Sequence, residues 1–174
     1  MVSGSDTRRA AVRESVVDGS ELLRATFRRS AAGVAVITAR VDGRLAGFTA
    51  TSVASVAAEP PMLSFNIGAR SSSWPVFARA EHVGVHILGE HQEDVAATFA
   101  RSGADRFAEP TRWRPGPFDV PVLESVPAWV VCRVSARVPA GDHRVVLAEV
   151  LTGDPGGPGR PLLYHERSFT ALRD

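Results

Sequence analysis

The sequence predicts a mainly β fold with a few helices, built as a β-barrel in a single domain. Three observations carry this reading. Short apolar runs with period-two alternation recur along the chain, bounded by Gly, Pro, Asp and Ser, which is the pattern of half-buried strands. Two of these runs, Val34 to Ala39 and Leu45 to Ala50, flank Asp42-Gly43. A short Asp-Gly link between alternating strands is the strongest local hairpin signal, because both residues tolerate a positive φ. Strands and helices do not alternate in the βαβ manner, so antiparallel closure is expected rather than a parallel, doubly wound sheet.

Residues 1–17 are polar, charged and aperiodic, and read as a flexible N-terminal arm ahead of a domain spanning 18–174. Asp18 and Glu21 stand at capping-box spacing before Leu23 and Phe27, which predicts a helix to about Arg29. After the hairpin, Thr49, Thr51, Ser52 and Ser55 follow Gly47. Such a run is either a Thr/Ser-rich strand end or a loop whose small donors and close backbone approach could wrap an anionic or heteroaromatic ligand. Pro60-Pro61 stops one strand, and Met62 to Ile67 supplies the next, mostly apolar one. Ser71-Ser72-Ser73 then leads into Trp74-Pro75, the opening of a short helix with Trp74, Phe77 and Ala78 on one face. That turn is either an ordinary helix start or an anion site at a helix N-terminus.

His82 to Leu88 reads as a strand, and Glu90 to Ala100 as a helix with Val95 and Phe99 inward. His82 and His86 are four apart, which on a strand separates them by roughly 13 Å, so no metal pair is expected. Segment 101–127, with Trp113 and four prolines from Pro115 to Pro127, is expected to be irregular, crossing the barrel surface or meeting a partner subunit; Trp113 reads equally well as core. Ala128 to Val138 alternates, placing Ala128, Val130, Cys132, Val134, Ala136 and Val138 on one face, with Cys132 a small buried hydrophobe rather than a nucleophile. A turn at Gly141-Asp142-His143 returns the chain as Arg144 to Leu151. The Gly/Pro-rich stretch 152–160 lacks both the GxGxxG order and a following helix, and is read as a loop. Leu162 to Tyr164 forms a last strand, with Phe169 and Leu172 packing back.

At 174 residues the chain is long enough for one self-sufficient core. A net charge of +1 and 7% aromatic residues leave no electrostatic footprint for nucleic acid. The single Cys132 excludes an internal disulfide framework, the N-terminus lacks the apolar core of a signal peptide, and no apolar stretch reaches the roughly 20 residues needed to span a bilayer. A cytoplasmic protein without membrane or nucleic-acid partners is therefore expected. No catalytic triad, HExxH, Walker loop or CxxC is present, so the polypeptide itself is poorly equipped for bond-making and a cofactor would have to supply the chemistry.

The stretch Gly47-Phe48-Thr49-Ala50-Thr51-Ser52-Val53-Ala54-Ser55-Val56-Ala57-Ala58-Glu59-Pro60-Pro61 resembles the signature of the flavin reductase family, the small components of two-component flavin-dependent monooxygenases, which share the FMN-binding split β-barrel. Ser71 to Ser73, Asp105-Arg106-Phe107-Ala108, Gly141-Asp142-His143, Tyr164 and the ending Arg167 to Leu172 extend the resemblance over about residues 20–172. The ending looks like that of an actinomycete subgroup associated with antibiotic pathways. The resemblance implies an NAD(P)H:flavin oxidoreductase that reduces FMN or FAD with NADH or NADPH, works as a homodimer, and hands free reduced flavin to a separate monooxygenase. It implies no catalytic residue, since hydride passes directly between the cofactors. Flavin contacts carried over are Thr49, Ala50, Thr51, Ser52, Ser55, Val56, Ser71, Ser73, Arg106 and Phe107, with Ser71 and Ser73 near the phosphate; Arg106 stands where relatives have Lys. Nicotinamide contacts are His143, Tyr164 and Phe169, with a solvent-exposed turn histidine as the alternative for His143. Two departures bear on the nicotinamide side: Ala148 stands where relatives often have Gly, and Arg167 and Phe169 where many have Gly and Tyr. The competing expectations are a flavin-binding module without turnover and a split-barrel flavin oxidase with its own organic substrate.

Overall fold

The computed structural model describes residues 18–173; the predicted arm at 1–17 lies outside the described residues. In chain order the elements are α1 (Gly19–Arg28), β1 (Ala32–Gly33), β2 (Ala35–Val41), β3 (Arg44–Ala50), β4 (Ala54–Ala58), β5 (Pro61–Gly68), α2 (Trp74–Phe77), β6 (His82–Ile87), α3 (Glu93–Ala100), β7 (Trp113–Pro115), β8 (Pro121–Leu123), β9 (Ala128–Ala140), β10 (His143–Asp154), β11 (Leu162–His165) and β12 (Ser168–Ala171).

The β2–β3 hairpin forms as its sequence predicts. Asp42 and Gly43 take φ of 51° and 76°, the paired positive values of a turn whose twist matches the flanking strands. From this hairpin a seven-stranded antiparallel sheet is built in the order β3-β2-β6-β9-β10-β5-β4. The sheet curls until β3 approaches β5, but no ladder joins them, so the barrel stays open along that seam. Its interior is filled by Ile37, Phe65, Ile67, Phe77, Val83 and Val85, all buried. Phe77 meets Phe48 edge-on at 5.2 Å and Phe65 at 6.4 Å, ring pairs worth roughly 0.5–1.5 kcal/mol each beyond area burial. On the opposite side of β2, Val34 and Val36 pack with Leu88, Phe99 and Leu162, where α3 and the small sheet β1-β11-β12 cover the barrel.

Several elements depart from the sequence reading for identifiable reasons. The helix expected from Glu90 starts at Glu93. Gly89 bridges Pro161, and the Glu90 N–H donates to the Arg160 carbonyl at 2.9 Å, so the first residues are held by the 160s and cannot join the helix. The single apolar face expected for 128–138 does not persist. The register against β10 shifts between Leu147 and Ala148, leaving Ser135 as an extra residue and resetting the alternation, and Val138 ends up exposed. Segment 101–127 is not wholly irregular. The β7–β8 hairpin straps the outer face of the sheet, with Thr38 Oγ1 donating to the Pro121 carbonyl at 2.6 Å and Arg40 paired to Asp119 at 2.8 Å. Trp113 joins the core side, its Nε1–H donating to the Phe107 carbonyl at 3.0 Å. Leu172, expected to pack back, is exposed, whereas Phe169 packs edge-on against Tyr164 at 5.4 Å.

Helix α1 is capped by Asp18, but through Ser20, whose amide donates to Asp18 Oδ1 at 3.3 Å. None of its residues is buried, and Leu22, Leu23 and Phe27 are exposed. Cys132 is fully buried, and burial pushes its thiol up to about 12, so it is the inert small hydrophobe that its strand position predicts.

Candidate functional site

The open seam is where the hydroxyl run ends up. As β3 finishes, residues 51–53 leave the ladder before β4 begins, and they face the C-terminal end of β5. The result is a cleft of about 310 Å³ lined on one side by Phe48, Thr49, Ala50, Thr51 and Ser52, and on the other by Asn66, Ile67, Gly68, Ser71 and His143. Thus six of the sequence-selected residues, Thr49, Ala50, Thr51, Ser52, Ser71 and His143, come together from three separate stretches of chain. Asn66 and Gly68 were not singled out from the sequence. The available signal was the alternation of 62–67, which sets Ser64 and Asn66 on the face opposite Leu63, Phe65 and Ile67.

The hydroxyls are unequal. Thr49 Oγ1 donates to the Ala96 carbonyl at 2.6 Å, tying β3 to α3 and leaving only acceptor capacity toward the cleft. Ser52 Oγ accepts from the Asn66 amide at 3.0 Å, so its own hydrogen remains to donate. Ser71 Oγ likewise accepts from the Ser73 amide at 3.2 Å and keeps its O–H.

Ser73 lies behind the cleft wall at 1% exposure; its hydroxyl donates to the Gly47 carbonyl at 2.8 Å and accepts from Arg106 Nη1 at 3.0 Å. Arg106 also donates to Ser72 Oγ at 3.4 Å and to the Arg101 carbonyl at 2.8 Å. Its guanidinium therefore clamps the serine turn to the 101–107 loop. Phe107 anchors that loop edge-on between Phe99 at 5.4 Å and Trp113 at 5.5 Å. Arg106 and Phe107 line a smaller recess beside Gly47. Ser55 and Val56 fall on the edge strand β4. Ser55 lines a separate apolar groove, and Val56 is the bulged residue opposite β5 and is exposed.

His143 begins β10, paired with Gly68. Its Nδ1 lies 2.7 Å from Asp142 Oδ1, and the histidine beside it holds the Asp142 carboxyl below the usual range. With Nδ1–H directed at that carboxylate, Nε2 is the atom left for a ligand. Tyr164, with Phe169 edge-on against it, lines a second groove that shares Thr51 with the cleft.

The cleft fits a flat heteroaromatic ring with a polar edge. Its walls carry small side chains and hydroxyl donors, and its floor has no side chain at Gly68. A Cβ there would point into the space and come within 3.9 Å of His143 Nε2. Among the described residues no group of His, Cys, Asp and Glu could hold a metal ion.

An open antiparallel barrel with a hydroxyl-lined seam defines a cofactor-binding barrel, one whose reactive group comes from a bound ring. The chain belongs to the flavin reductase like domain family, whose model matches residues 27–173. An NADH:FMN oxidoreductase of Rhodococcus qingshengii is 42% identical over 150 residues, covering 84% of this chain and 78% of the relative. The flavin-dependent monooxygenase reductase subunit HsaB of Mycobacterium tuberculosis is 34% identical over 142 residues, 80% of this chain and 75% of that one. The crystal structure of a flavin reductase domain protein from Arthrobacter sp. FB24 superposes with a TM-score of 0.84 at 42% identity, covering 89% of this chain and 96% of that chain.

Proposed function

We propose that the chain is an NAD(P)H:flavin oxidoreductase that reduces FMN or FAD by hydride transfer and supplies free reduced flavin to a partner monooxygenase. The observation that carries this is the seam cleft, which gathers Phe48 to Ser52 of the family signature with Ser71 and His143 around one space in a chain of that family. The flavin supplies the electron-accepting ring, and the nicotinamide supplies the hydride. The chain's own work is placement. Ser52 and Ser71 each offer a hydroxyl hydrogen to the ring's polar edge or the phosphate, and the backbone of 51–53 lies outside the ladder beside them. The Arg106 clamp fixes the serine turn, and His143 orients the nicotinamide through Nε2 while Asp142 holds the ring from behind. No proton need leave the protein in the hydride step, so alignment at about 3–3.5 Å is the main requirement.

Mixing the protein with NADH or NADPH and excess FMN or FAD tests the reading. Fast oxidation of the nicotinamide in at least one of the four combinations is expected. Tight flavin binding without turnover would instead indicate a binding module, and turnover only with an added amine or phenol an oxidase.

The proposal includes a homodimer. In support, Leu22, Leu23 and Phe27 are exposed on α1, and an apolar groove of about 280 Å³ between Met62, Leu63, Val85, Ile87 and Trp129 stands open in one chain. Sedimentation of a fully active monomer at micromolar concentration would remove this part. A cytoplasmic location belongs to the same proposal, because reduced pyridine nucleotide is the electron source. Among the described residues no helix is long and apolar enough to cross a membrane.

A further inference from the structure

The bulge in β9 decides which side chain enters the barrel at the end where α2 closes it. Up to Val134, which pairs with the buried Ala148, Cys132 and Val134 face the interior. Unbroken alternation would carry that face on through Ala136 and Val138. The extra residue Ser135 shifts the pairing, so Arg137 stands opposite the buried Val146 while Val138 is turned out to 47% exposure. A guanidinium thus takes an interior-facing position where the pattern calls for an apolar side chain. An interior charge is costly unless its donors are met, yet among the described residues Arg137 makes no ion pair. Its donors go to the end of one short helix. Nε donates to the Phe77 carbonyl at 2.9 Å, and Nη2 donates to the Ala80 carbonyl.

That helix is joined to the seam cleft at both its first and its last residue. The Trp74 amide donates to the carbonyl of Ser71, a cleft residue, at 3.0 Å. The Phe77 ring lies edge-on to Phe48 at 5.2 Å, and Phe48 is part of the cleft wall. The start of α2 is held by Arg106, through Ser72 and Ser73, and by Arg144, whose guanidinium lies over the Trp74 ring at 5.8 Å. Its far end is held by Arg137.

We propose that Arg137 is a positioning residue for flavin reduction: by holding the end of α2 it fixes the Phe77 ring behind Phe48 and the Ser71 hydroxyl at the cleft, and so aligns the flavin for hydride transfer. Arg137 does not line the cleft and acts only through α2. A small displacement of α2 would move Phe48 and Ser71 together, and misplacement of a reacting ring by about 1 Å is enough to slow a transfer step severely. His143 stands on β10 at its own turn, so the nicotinamide side stays in place. The inference rests on the flavin reductase reading for what the cleft holds.

The experiment compares the full chain with Arg137→Met, Arg137→Gln and Arg137→Lys. Fluorescence titration of Arg137→Met is expected to show FMN bound at least five-fold more weakly. Stopped-flow mixing at saturating FMN is expected to show hydride transfer at least five-fold slower, with its dependence on NADH concentration unchanged. The ammonium of Arg137→Lys can donate to both carbonyls and should restore affinity and rate to within two-fold of wild type. Arg137→Gln keeps one donor and should fall between them, which keeps the test readable if the methionine variant does not fold. Val122→Ala serves as the control for lost stability alone: Val122 is buried under the β7–β8 strap on the outer face, so its truncation lowers the melting temperature and leaves FMN affinity and hydride rate unchanged. Wild-type affinity and rate in Arg137→Gln, a lysine variant as impaired as the methionine one, or equal losses in Val122→Ala at the same fall in melting temperature would each overturn the proposal. A wild type that binds FMN but oxidises neither NADH nor NADPH with any flavin would overturn the flavin reductase reading instead, and the FMN affinities of the variants alone then decide the role of Arg137.

Discussion

Ser52 Oγ accepts the amide hydrogen of Asn66 at 3.0 Å and so links the end of the β3 wall to β5 across the seam of the barrel. The same oxygen carries a hydrogen that this bond does not use, so Ser52 braces the cleft and, in the proposed function, also donates to its occupant.

Ser52→Ala should therefore have two small effects rather than one large one. Loss of a hydrogen bond worth about 0.5–1.5 kcal/mol predicts FMN binding weakened roughly two- to ten-fold, and removal of the brace predicts a melting temperature lower by a few degrees. Fluorescence titration and a thermal scan read the two separately. Unchanged flavin affinity would place the ligand away from Ser52.

Gly68 supplies a test of the cleft by volume. A Cβ there has ordinary clearance, with His143 Nε2 at 3.9 Å, so Gly68→Ala should fold and bind nearly as the wild type does. Gly68→Leu should occupy the cleft and weaken FMN more than ten-fold while the far-UV spectrum and melting curve stay close to wild type. Equal flavin affinity in the two variants would contradict the assignment.

His143→Ala is expected to raise the KM for NADH and lower kcat/KM by roughly one to two powers of ten, equivalent to about 1.4–2.7 kcal/mol, with flavin affinity nearly unchanged. Stopped-flow reduction of the flavin-loaded variant measures this. A wild-type rate with wild-type NADH dependence would make His143 a turn residue only.

A fourth prediction concerns acid stability. His86 is fully buried, its Nδ1–H donates to the Val36 carbonyl at 3.0 Å, and its Nε2 has no partner among the described residues. Burial lowers its pKa from 6.5 to about 4. The unfolded chain therefore takes up a proton between pH 6.5 and 4 that the folded chain refuses, so stability falls as the pH drops through that window. The slope approaches about 1.4 kcal/mol per pH unit, and the full effect is about 3 kcal/mol. Urea unfolding at pH 7.5, 5.5 and 4.5 should show a steeper loss for the wild type than for His86→Asn; parallel curves would contradict it.

Much of this architecture was legible in the sequence because its signals are local. Asp42-Gly43 fixes a turn by backbone conformation alone, whereas the hydroxyl run Thr49 to Ser52, open by itself between a strand end and a ligand loop, takes its role from the resemblance to the flavin reductase signature. What could not be read depends on register. Ser135 looks like any other residue of an alternating strand, and only its pairing with β10 makes it a bulge. The start of α3 was misplaced because the competitor for the Glu90 amide is Arg160, far along the chain. Ser73 and Ser71 are indistinguishable by composition, yet one sits behind the wall and the other lines the cleft. Ser55 belongs to the same hydroxyl run, but two residues of edge strand carry it to another face.

The burial of Cys132 bears on the chemistry that follows reduction. Free reduced flavin that meets dioxygen before it meets a monooxygenase yields hydrogen peroxide, so a flavin reductase works beside a source of oxidant. Thiols are oxidised as thiolates, and they must be reachable. The chain's one sulfhydryl satisfies neither condition, being fully buried with its pKa pushed up to about 12. The interior of β9 thus leaves the enzyme without a cysteine that its own by-product could convert to a sulfenic acid.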